Sequence, residues 1–394
     1  MDDYGPPRDA AELERWTALV GSSFSFPPAE LPAWRAQLGT GGERCLRDAD
    51  GLAAVLGVLD MGQWFGGRSV PMGGVLAVGV EPSRRGRGLG ARIMTELLRE
   101  LRARGTPLSG LYPATNTLYR AVGYEVAGAR HAFALHLREM ALRPGARAAD
   151  DAWLRPARTE DERAIRALYA TRARTTNGWL DRHEYLWRRV RSWRGEERTG
   201  YVAGSGAKVE GYVFLAQKRA ELLDMELAVS DLVATTKDAA VRILELLRDH
   251  RSLCTTAKAF LAPSDPVLGL LAENGYVSKL AMPWMLRIVD VARALEARGY
   301  APGLRARVEL DVADDVLPEN RGRFVLEVAD GSARVTRGGS GALALDVRAL
   351  AALYSGWQSA HDLAMTGRAS GAEDALAAAS ACFAGPAPHM PDMF

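Results

Sequence analysis

The feature that most constrains the fold of this 394-residue chain is a stretch in which an apolar run is followed by an Arg/Gly-rich turn and then by an amphipathic segment. Residues 74–80 (GVLAVGV) predict a strand buried on both faces, and residues 89–104 repeat apolar side chains at helical spacing. A strand, a Gly-rich turn and a helix N-terminus together present backbone N–H groups and a favourable dipole to an anion. Three arginines add charged donors, namely Arg84, Arg85 and Arg87. The stretch predicts a layered α/β domain with a phosphate site.

Charge and composition exclude several classes of protein. The 50 Lys and Arg residues nearly balance the 48 Asp and Glu residues, which argues against a protein that coats nucleic acid or an anionic membrane. No apolar run approaches the ~18 residues of a membrane-spanning helix, and the acidic start does not resemble a signal peptide. The three cysteines form no metal-binding or disulfide pattern. We therefore expect a cytoplasmic protein without a metal.

Two breaks in composition divide the chain. Residues 143–151 are polar, contain Pro and Gly, and predict a linker; residues 299–303 (GYAPG) form a second break. A length of 394 residues suits two or three domains at about 150 residues each. We predict three domains, with the limits 1–148, 149–290 and 291–394.

The first predicted domain alternates strands with helices. Besides the strand and helix around the turn, its pattern predicts further strands at 53–59, 108–112 and 131–137 and a short helix at 116–121. This alternation is typical of an α/β domain.

The middle domain echoes the first. Residues 270–276 (LLAENGY) resemble residues 118–124 (LYRAVGY), which indicates a weak internal repeat. The corresponding turn region, 231–240, contains no glycine, and Leu271 stands where Tyr119 stands in the first repeat. We expect a degenerate repeat with no phosphate site and no catalysis. Its predicted strands and helix lie at 211–216, 222–229 and 238–250.

The last domain has a different pattern. Two short apolar runs, 324–328 and 333–336, flank the dipeptide Asp330-Gly331, which predicts a β-hairpin. Two Ala-rich helices follow, of which 372–383 is the clearer. We expect a small α+β domain.

The composition of the turn limits the classes of phosphate-containing ligand that it can bind. It lacks the Gly-Lys-Ser/Thr of a nucleotide-binding loop, and its spacing does not fit a dinucleotide fingerprint. Arg85-x-x-Gly88-x-Gly90 instead resembles the acetyl-coenzyme A motif of the GNAT superfamily of N-acetyltransferases. The resemblance implies that the strand offers its backbone to the amide-bearing pantetheine arm. The implied coenzyme-binding residues are Val78, Gly79, Val80, Arg85, Gly86, Arg87, Gly88, Leu89, Gly90 and Asn116.

A tyrosine stands at the position where this superfamily holds its general acid. Tyr119, within residues 118–124, corresponds to the GNAT tyrosine that faces the coenzyme sulfur. A tyrosine with a pKa near ~10 can protonate a forming thiolate whose thiol has a pKa near ~8.5. We interpret Tyr124, His131 and His136 as structural residues.

Over essentially its whole length the chain resembles the enhanced intracellular survival (Eis) acetyltransferases. That family joins an active GNAT domain, a degenerate GNAT domain and a C-terminal domain of sterol carrier protein fold. Four features carry the resemblance: the Arg85 motif, the Tyr119 motif, Leu353-Tyr-Ser-Gly356 followed by residues 364–371, and a terminal aromatic residue, Phe394. The resemblance implies that the α-carboxylate of Phe394 is the general base and that the protein is a homohexamer.

The predicted acceptor pocket departs from the Eis pattern. Aminoglycoside-acetylating members carry acidic residues where this chain has Ser25 and Met393, so Asp60 and Asp392 remain as candidate sources of negative charge for a cationic acceptor. An apolar pocket suits a less cationic amine. The candidate acceptor-binding residues are Phe24, Ser25, Trp34, Met61 and Met393.

Three functions stay open from the sequence. The first is transfer of an acetyl group from acetyl-coenzyme A to a primary amine. The second keeps the fold but uses another acyl group, or a peptide, protein-lysine or natural-product amine as the acceptor. The third is a non-catalytic protein whose last domain binds a lipid.

Overall fold

The N-terminal part of the protein, residues 3–136, alternates strands and helices. In the computed structural model, which describes residues 3–39, 41–193, 195–219 and 225–394, the strands predicted at 53–59 and 131–137 belong to longer strands, and the helix at 116–121 is confirmed. The elements are β1 (Asp3–Gly5), α1 (Ala10–Phe24), α2 (Leu31–Leu38), β2 (Glu43–Asp48), β3 (Gly51–Phe65), β4 (Arg68–Val80), α3 (Leu89–Ala103), β5 (Leu108–Leu111), α4 (Asn116–Ala121) and β6 (Glu125–His136).

Helix α3 is amphipathic, and its apolar face is buried in one cluster with side chains of β3, β4 and α4. Burial of each large apolar side chain on this face of α3 contributes about 1.5–3 kcal/mol to the stability of the folded protein. This packing fixes residues 81–88, which join β4 to α3, at the end of the sheet. The buried face consists of Leu89, Ile93, Met94, Leu97, Leu98 and Leu101.

The middle part, residues 152–288, repeats this arrangement without the long loop. Strand β13 and helix α7 are separated by only Thr235 and Thr236, where β4 and α3 are separated by eight residues. The predicted strand at 222–229 is confirmed from residue 225 onward, and residues 222–224 lie outside the described residues. The elements are β7 (Ala152–Pro156), α5 (Glu162–Ala173), β8 (Leu180–Asp181), α6 (Glu184–Arg191), β9 (Ser192–Trp193), β10 (Glu196–Glu197), β11 (Thr199–Ser205), β12 (Lys208–Arg219), β13 (Met225–Ala234), α7 (Lys237–Asp249), β14 (Cys254–Phe260) and β15 (Tyr276–Ile288).

The two parts share one sheet because their last strands change places. Strand β15 lies between β5 and β6, and β6 in turn pairs with β14. The strand order is β1-β2-β3-β4-β5-β15-β6-β14-β13-β12-β11-β7, and β8 adds to β3. Each part therefore depends on a strand of the other.

The C-terminal part forms a separate sheet covered by helices. The predicted hairpin is confirmed, and both turn residues, Asp330 and Gly331, have positive φ angles of 51° and 75°. The strand order is β18-β17-β16-β19-β20. The elements are α8 (Val291–Ala297), β16 (Ala306–Ala313), β17 (Gly322–Ala329), β18 (Ser332–Arg337), β19 (Leu343–Asp346), α9 (Val347–Ser355), α10 (Ala360–Met365), β20 (Ala369–Gly371) and α11 (Glu373–Phe383).

The two Ala-rich helices predicted after the hairpin are present as α9 and α11, and a third helix lies between them. The additional helix, α10, is short and begins with a capping box in which Ser359 and Asp362 bond each other's backbone. The inner face of the sheet packs against α9 and α11 through fully buried side chains such as Leu310, Phe324 and Phe383. The interior between sheet and helices is thus occupied by the protein's own side chains.

Within the described ranges, no helix is both long and apolar enough to cross a membrane.

Candidate active site

The central sheet opens into a wedge between strands β4 and β5. The two strands pair in parallel from Met72–Leu108 to Val75–Leu111, after which β5 ends while β4 continues to Val80. At this point β4 also contains a bulge against β3, where Ala77 has a φ of 55°. The edge of β4 beyond Val75 can therefore offer backbone groups to the amides of an extended ligand.

The glycine-rich loop lies at the far end of this wedge. Gly86 and Gly88 have φ angles of 80° and 75°, and a side chain at either position would meet nothing within 4 Å. Glycine is therefore required there for its conformation, and the space above the loop is open. Gly88 is the residue that precedes α3, so the free N–H groups of the helix face this space.

The three loop arginines are not equivalent. Arg85 and Arg87 are exposed, and neither forms an ion pair with a carboxylate of the described residues, so both can reach a phosphate. The prediction that Arg84 also serves as a ligand donor is wrong. Its guanidinium bonds Asp48 at 2.5 Å and the carbonyl oxygen of Asp50 at 2.9 Å, which ties the loop to the β2–β3 turn.

Helix α4 places Tyr119 beside the wedge. The Tyr119 ring is buried and meets the Tyr124 ring edge-on at a centroid distance of 6.1 Å. The Tyr124 hydroxyl bonds Ser109 Oγ at 2.7 Å, and this oxygen bonds the carbonyl of Gly73 at 2.9 Å. Burial raises the pKa of Tyr119 to about 12, so the phenol keeps its proton at neutral pH. Asn116 is the first residue of α4.

The last ten residues leave the C-terminal part and run along strand β6. His389 forms a parallel bridge with Ala129, and its N–H donates to the carbonyl oxygen of Asn177 at 3.0 Å. Arg130 Nε donates to the carbonyl oxygen of Pro391 at 2.9 Å. The tail therefore crosses both the N-terminal and the middle part and ends at the wedge.

Phe394 lies against β4 where the wedge begins. Its ring is 5.9 Å from that of Tyr112, whose hydroxyl donates to the carbonyl oxygen of Asp392 at 2.6 Å. A side chain at Gly74 would come within 3.0 Å of the Phe394 ring and 2.5 Å of Met61 Cε. The absence of a side chain at position 74 therefore lets the terminal residue and Met61 approach the strand.

A buried ionic network, which the sequence does not predict, holds the tail in place. Arg182, with a side chain 0% exposed, lies between Asp231 and Asp392, at 2.5 Å and 2.9 Å. Tyr169 donates to Asp392 at 3.1 Å, and its ring faces the Arg182 guanidinium at 3.9 Å. Burial works against the charge of Arg182, but the two carboxylates hold its pKa well above the ordinary value. No local sequence signal marks residues this far apart.

The predicted acceptor residues fall into separate groups. Trp34 is buried and stacks on Trp16 at 6.2 Å, so it is chiefly a core residue, while Phe24 is 45% exposed at the end of α1. Ser25 ends that helix in a left-handed conformation. Met61, already placed beside Phe394, belongs with Trp34 and the terminal ring to one apolar cluster.

Of the remaining candidates for acceptor binding, one belongs to the tail and two form ion pairs. Met393 is half-buried and lines a cavity beside the tail. The expectation that Asp60 and Asp392 supply free charge for a cationic acceptor is wrong, because Asp60 pairs with Arg104 and Asp392 with Arg182.

No group of three or more His, Cys, Asp or Glu side chains could hold a metal ion in the part of the chain that the structure describes. The three cysteines are buried and unpaired, and burial raises the pKa of Cys45 to about 12 and that of Cys382 to about 11. These thiols are therefore not activated nucleophiles.

Comparison with known proteins matches each part of the chain to a family. Residues 7–127 and 178–288 each match a model described as an acetyltransferase (GNAT) domain, and residues 291–391 match a sterol carrier protein domain. The first 127 residues thus contain the wedge, the loop and Tyr119.

Individual relatives match over most or all of the chain. The crystal structure of a GCN5-related N-acetyltransferase from Anabaena variabilis is 32% identical with a TM-score of 0.94, and the comparison covers 100% of both chains. One from Kribbella flavida is 30% identical with a TM-score of 0.85, covering 100% of this chain and 99% of that chain. The N-acetyltransferase Eis of Mycobacterium tuberculosis is 29% identical over 374 residues, or 89% of each protein. The chain therefore belongs to the GCN5-related N-acetyltransferases, and its two GNAT domains followed by a sterol carrier protein domain make it an acetyltransferase of the Eis type.

Proposed function

We propose that the protein transfers the acetyl group of acetyl-coenzyme A directly to a primary amine within a ternary complex. The observation that carries the proposal is the meeting of three features at the β4–β5 wedge. The glycine-rich loop lies at its far end, Tyr119 lies beside it, and the tail brings Phe394 to its start. No metal is needed for this reaction.

The loop and the β4 edge are proposed to position the thioester. The N–H groups at the start of α3, together with Arg85 and Arg87, would bind the pyrophosphate. The backbone of Val78, Gly79 and Val80 would pair with the pantetheine amides, as a strand does. The bulge at Ala77 interrupts the register of β4 with β3. Backbone N–H groups of this segment would bind the thioester carbonyl, whose oxygen gains negative charge in the transition state.

The chemical step needs one proton donor and one proton acceptor. The amine nitrogen forms a bond to the carbonyl carbon, the carbon–sulfur bond breaks, and the sulfur takes a proton from the Tyr119 hydroxyl. Before the attack, the ammonium gives one proton to the α-carboxylate of Phe394, directly or through one water. The nitrogen loses its second proton as the carbon–sulfur bond breaks, and this proton restores the Tyr119 phenol. A phenol with a pKa of about 12 is a weak acid, but burial of the sulfur raises the thiol pKa as well, which keeps the transfer feasible.

The carboxylate of a chain terminus is ordinarily a weak base, with a pKa near ~3.3–3.7. Its proposed advantage is position, since the tail is held by backbone bonds and by the Asp392–Arg182 pair. Fixed geometry relative to the amine can supply much of what low basicity lacks.

Three further properties form part of the proposal. The domain limits are 1–148, 149–290 and 291–394, the working compartment is the cytoplasm, and the assembly is a homohexamer. Exposed apolar side chains on β15, Val277 and Leu280, suit a surface that another copy covers. The filled interior of the sterol carrier protein domain argues against the alternative of a lipid-binding protein.

The melting temperature with and without acetyl-coenzyme A tests the proposal first. Ligand at ~100 times Kd should stabilise the native protein by about 2.7 kcal/mol, and Arg85→Ala combined with Gly88→Glu should abolish the shift. A screen of amines, with thiol release as the readout, then identifies acceptors. Wild-type protein that shows no shift would refute the acetyl-coenzyme A site, and a shift without acetylation of any amine would refute the acceptor class.

A further inference from the structure

A cavity of about 310 Å³ lies against the C-terminal tail and is not used by the proposed chemistry. Its wall includes Pro391, Asp392 and Met393, the three residues that lead to Phe394. Trp193, which also lines it, packs on the same apolar cluster as Phe394 and Met61. The cavity is therefore a neighbour of the proposed base, and its volume suits a small molecule.

The charged groups of this cavity are mostly cationic. Two acidic residues, Glu226 and Asp392, line it together with five cationic ones, which are Arg130, Arg189, Arg198, Lys218 and Lys258. Both acidic groups are already engaged, because Glu226 pairs with Lys258 at 2.5 Å and Asp392 pairs with Arg182. Lys218 pairs with Glu196, outside the cavity lining.

Three arginines remain without a carboxylate partner among the residues that the structure describes: Arg130, Arg189 and Arg198. Arg130 bonds the tail and its guanidinium lies 3.2 Å from the centre of the Phe260 ring. Arg189 bonds the Tyr185 hydroxyl at 3.0 Å and stacks on Trp193 at 3.6 Å.

Arg198 is the least satisfied of the three. It donates from a terminal nitrogen to the carbonyl oxygen of Arg189 at 3.3 Å, while its Nε is buried with no hydrogen-bond partner. Burial lowers the pKa of Arg198 and that of Arg130. Guanidinium groups that lie together and have no carboxylate partner within the described ranges form a candidate site for an anion, and their planar donors suit a carboxylate or a phosphate.

We propose that Arg189 and Arg198 bind an acidic group of the acceptor, so that the substrate class is an amine bearing a carboxylate or phosphate a few bonds from its nitrogen. This inference rests on the proposed function, because it assumes that an amine is acetylated beside Phe394. The acid group would enter the cavity and the amine would point along the tail towards the wedge. A polycationic acceptor is disfavoured by the same charges.

The first experiment measures anion binding without turnover. Inorganic phosphate is titrated calorimetrically into enzyme saturated with coenzyme A, which occupies the glycine-rich loop. We expect Arg189→Gln combined with Arg198→Gln to weaken binding at least tenfold, and Arg198→Lys to retain it within about threefold. Arg251→Gln, which removes an exposed charge elsewhere, should bind as wild type does. No phosphate binding by wild type, or undiminished binding by the double variant, overturns the proposal.

The second experiment separates an acidic acceptor from a free anion. Matched pairs are compared in wild type and in the double variant: 4-aminobutyrate with 4-aminobutyramide, O-phosphoethanolamine with ethanolamine, and phenylalanine with phenylalaninamide. We expect wild type to favour at least one acid over its neutral partner by tenfold or more in kcat/KM, mainly through KM, and the double variant to lose this preference. Acids that neither react preferentially nor displace bound phosphate would show a free-anion site and overturn the substrate class.

The two proposals can fail separately. If acetyl-coenzyme A neither binds nor donates, the proposed function fails, and a phosphate titration without coenzyme A, compared between wild type and the double variant, still decides whether the arginines bind an anion. If amines are acetylated but the acid-to-neutral ratio is the same in both proteins, only the present inference fails. A normal melting-temperature shift with acetyl-coenzyme A shows that the double variant is folded.

Discussion

The substitution Asp392→Asn tests whether the buried ionic network holds the C-terminus at the wedge. Asp392 is the only charged side chain among the last five residues, and its carboxylate accepts from Arg182 and from Tyr169. An asparagine keeps the shape and one acceptor but removes the charge. The last residues of the chain should then detach from strand β6 and the wedge more often, while the three domains stay folded.

The free energy of tail docking that Asp392→Asn removes depends on the interactions that remain in the variant. Removing one partner of a buried ion pair costs about 3–5 kcal/mol when the other charge is left uncompensated. Here Asp231 still neutralises Arg182 at 2.5 Å, and the backbone bonds of Pro391 and His389 are unchanged. We therefore expect a lower cost of about 2–3 kcal/mol, which raises the ratio of released to docked tails about 30- to 150-fold.

Carboxypeptidase A provides an assay that reads this ratio. The enzyme removes a C-terminal aromatic residue only from a released tail, and its rate follows the released population when docking is fast compared with cleavage. Phenylalanine released from the variant, measured by mass spectrometry, should appear about 30 to 150 times faster than from wild type. Acetyltransferase activity should fall in proportion to the Phe394 removed.

The matched control is Asp231→Asn, which removes the other carboxylate but touches no tail residue. Arg182 then still pairs with Asp392, so phenylalanine release should rise less than about threefold. Equal release rates for wild type and Asp392→Asn, or equal acceleration by both variants, would refute the reasoning that this ion pair docks the tail.

Three further predictions concern the acid, the base and the stability. Tyr119→Phe should lower kcat at least ~100-fold and leave the melting-temperature shift with acetyl-coenzyme A intact. Because the pKa of Tyr119 is about 12, ionisation of this phenol should not limit the activity of wild type below pH ~11. One glycine added after Phe394 moves the carboxylate and should reduce kcat/KM ~100-fold or more, whereas Phe394→Tyr should retain activity. Burial, with His131 nearby, lowers the pKa of His389 to about 3. Below pH ~6.5 the unfolded state therefore binds a proton that the native state does not take up. The free energy of unfolding should fall by about 1.4 kcal/mol per pH unit from pH 6.5 towards pH 3. His389→Leu should flatten this dependence in melting curves.

The features that the sequence predicts well are local. The loop at 81–88, helix α3 and the Asp330-Gly331 turn each depend on residues within one short stretch, so spacing and glycine placement identify them. The sequence does not predict helix α10, although Ser359 and Asp362 mark its start, because six residues give little helical periodicity. Ala77 gives no sign of its positive φ, since alanine has no preference for that conformation.

The features that escape prediction are contacts between distant segments. Strand β15 has the same local pattern whether it pairs with β14 or with β5 and β6, so the exchange of last strands is decided by the packing of two whole domains. Arg182 and Asp392 are 210 residues apart, and neither has a neighbour that indicates a partner. The cationic cavity likewise combines residues from β6, α6 and the tail.

These distant contacts give the middle domain, which has no glycine-rich loop between β13 and α7, a structural role. The middle domain supplies Arg182, Tyr169 and Asp231, which hold the tail, and Arg189 and Arg198, which line the proposed acid site. The sterol carrier protein domain supplies the tail itself, and the first domain supplies the wedge. An isolated first domain would therefore retain the residues that we assign to acetyl-coenzyme A but would lack both the proposed base and the proposed acceptor site. Removing residues 385–394 should consequently abolish transfer while preserving the melting-temperature shift with acetyl-coenzyme A, and loss of both together would contradict this division of labour.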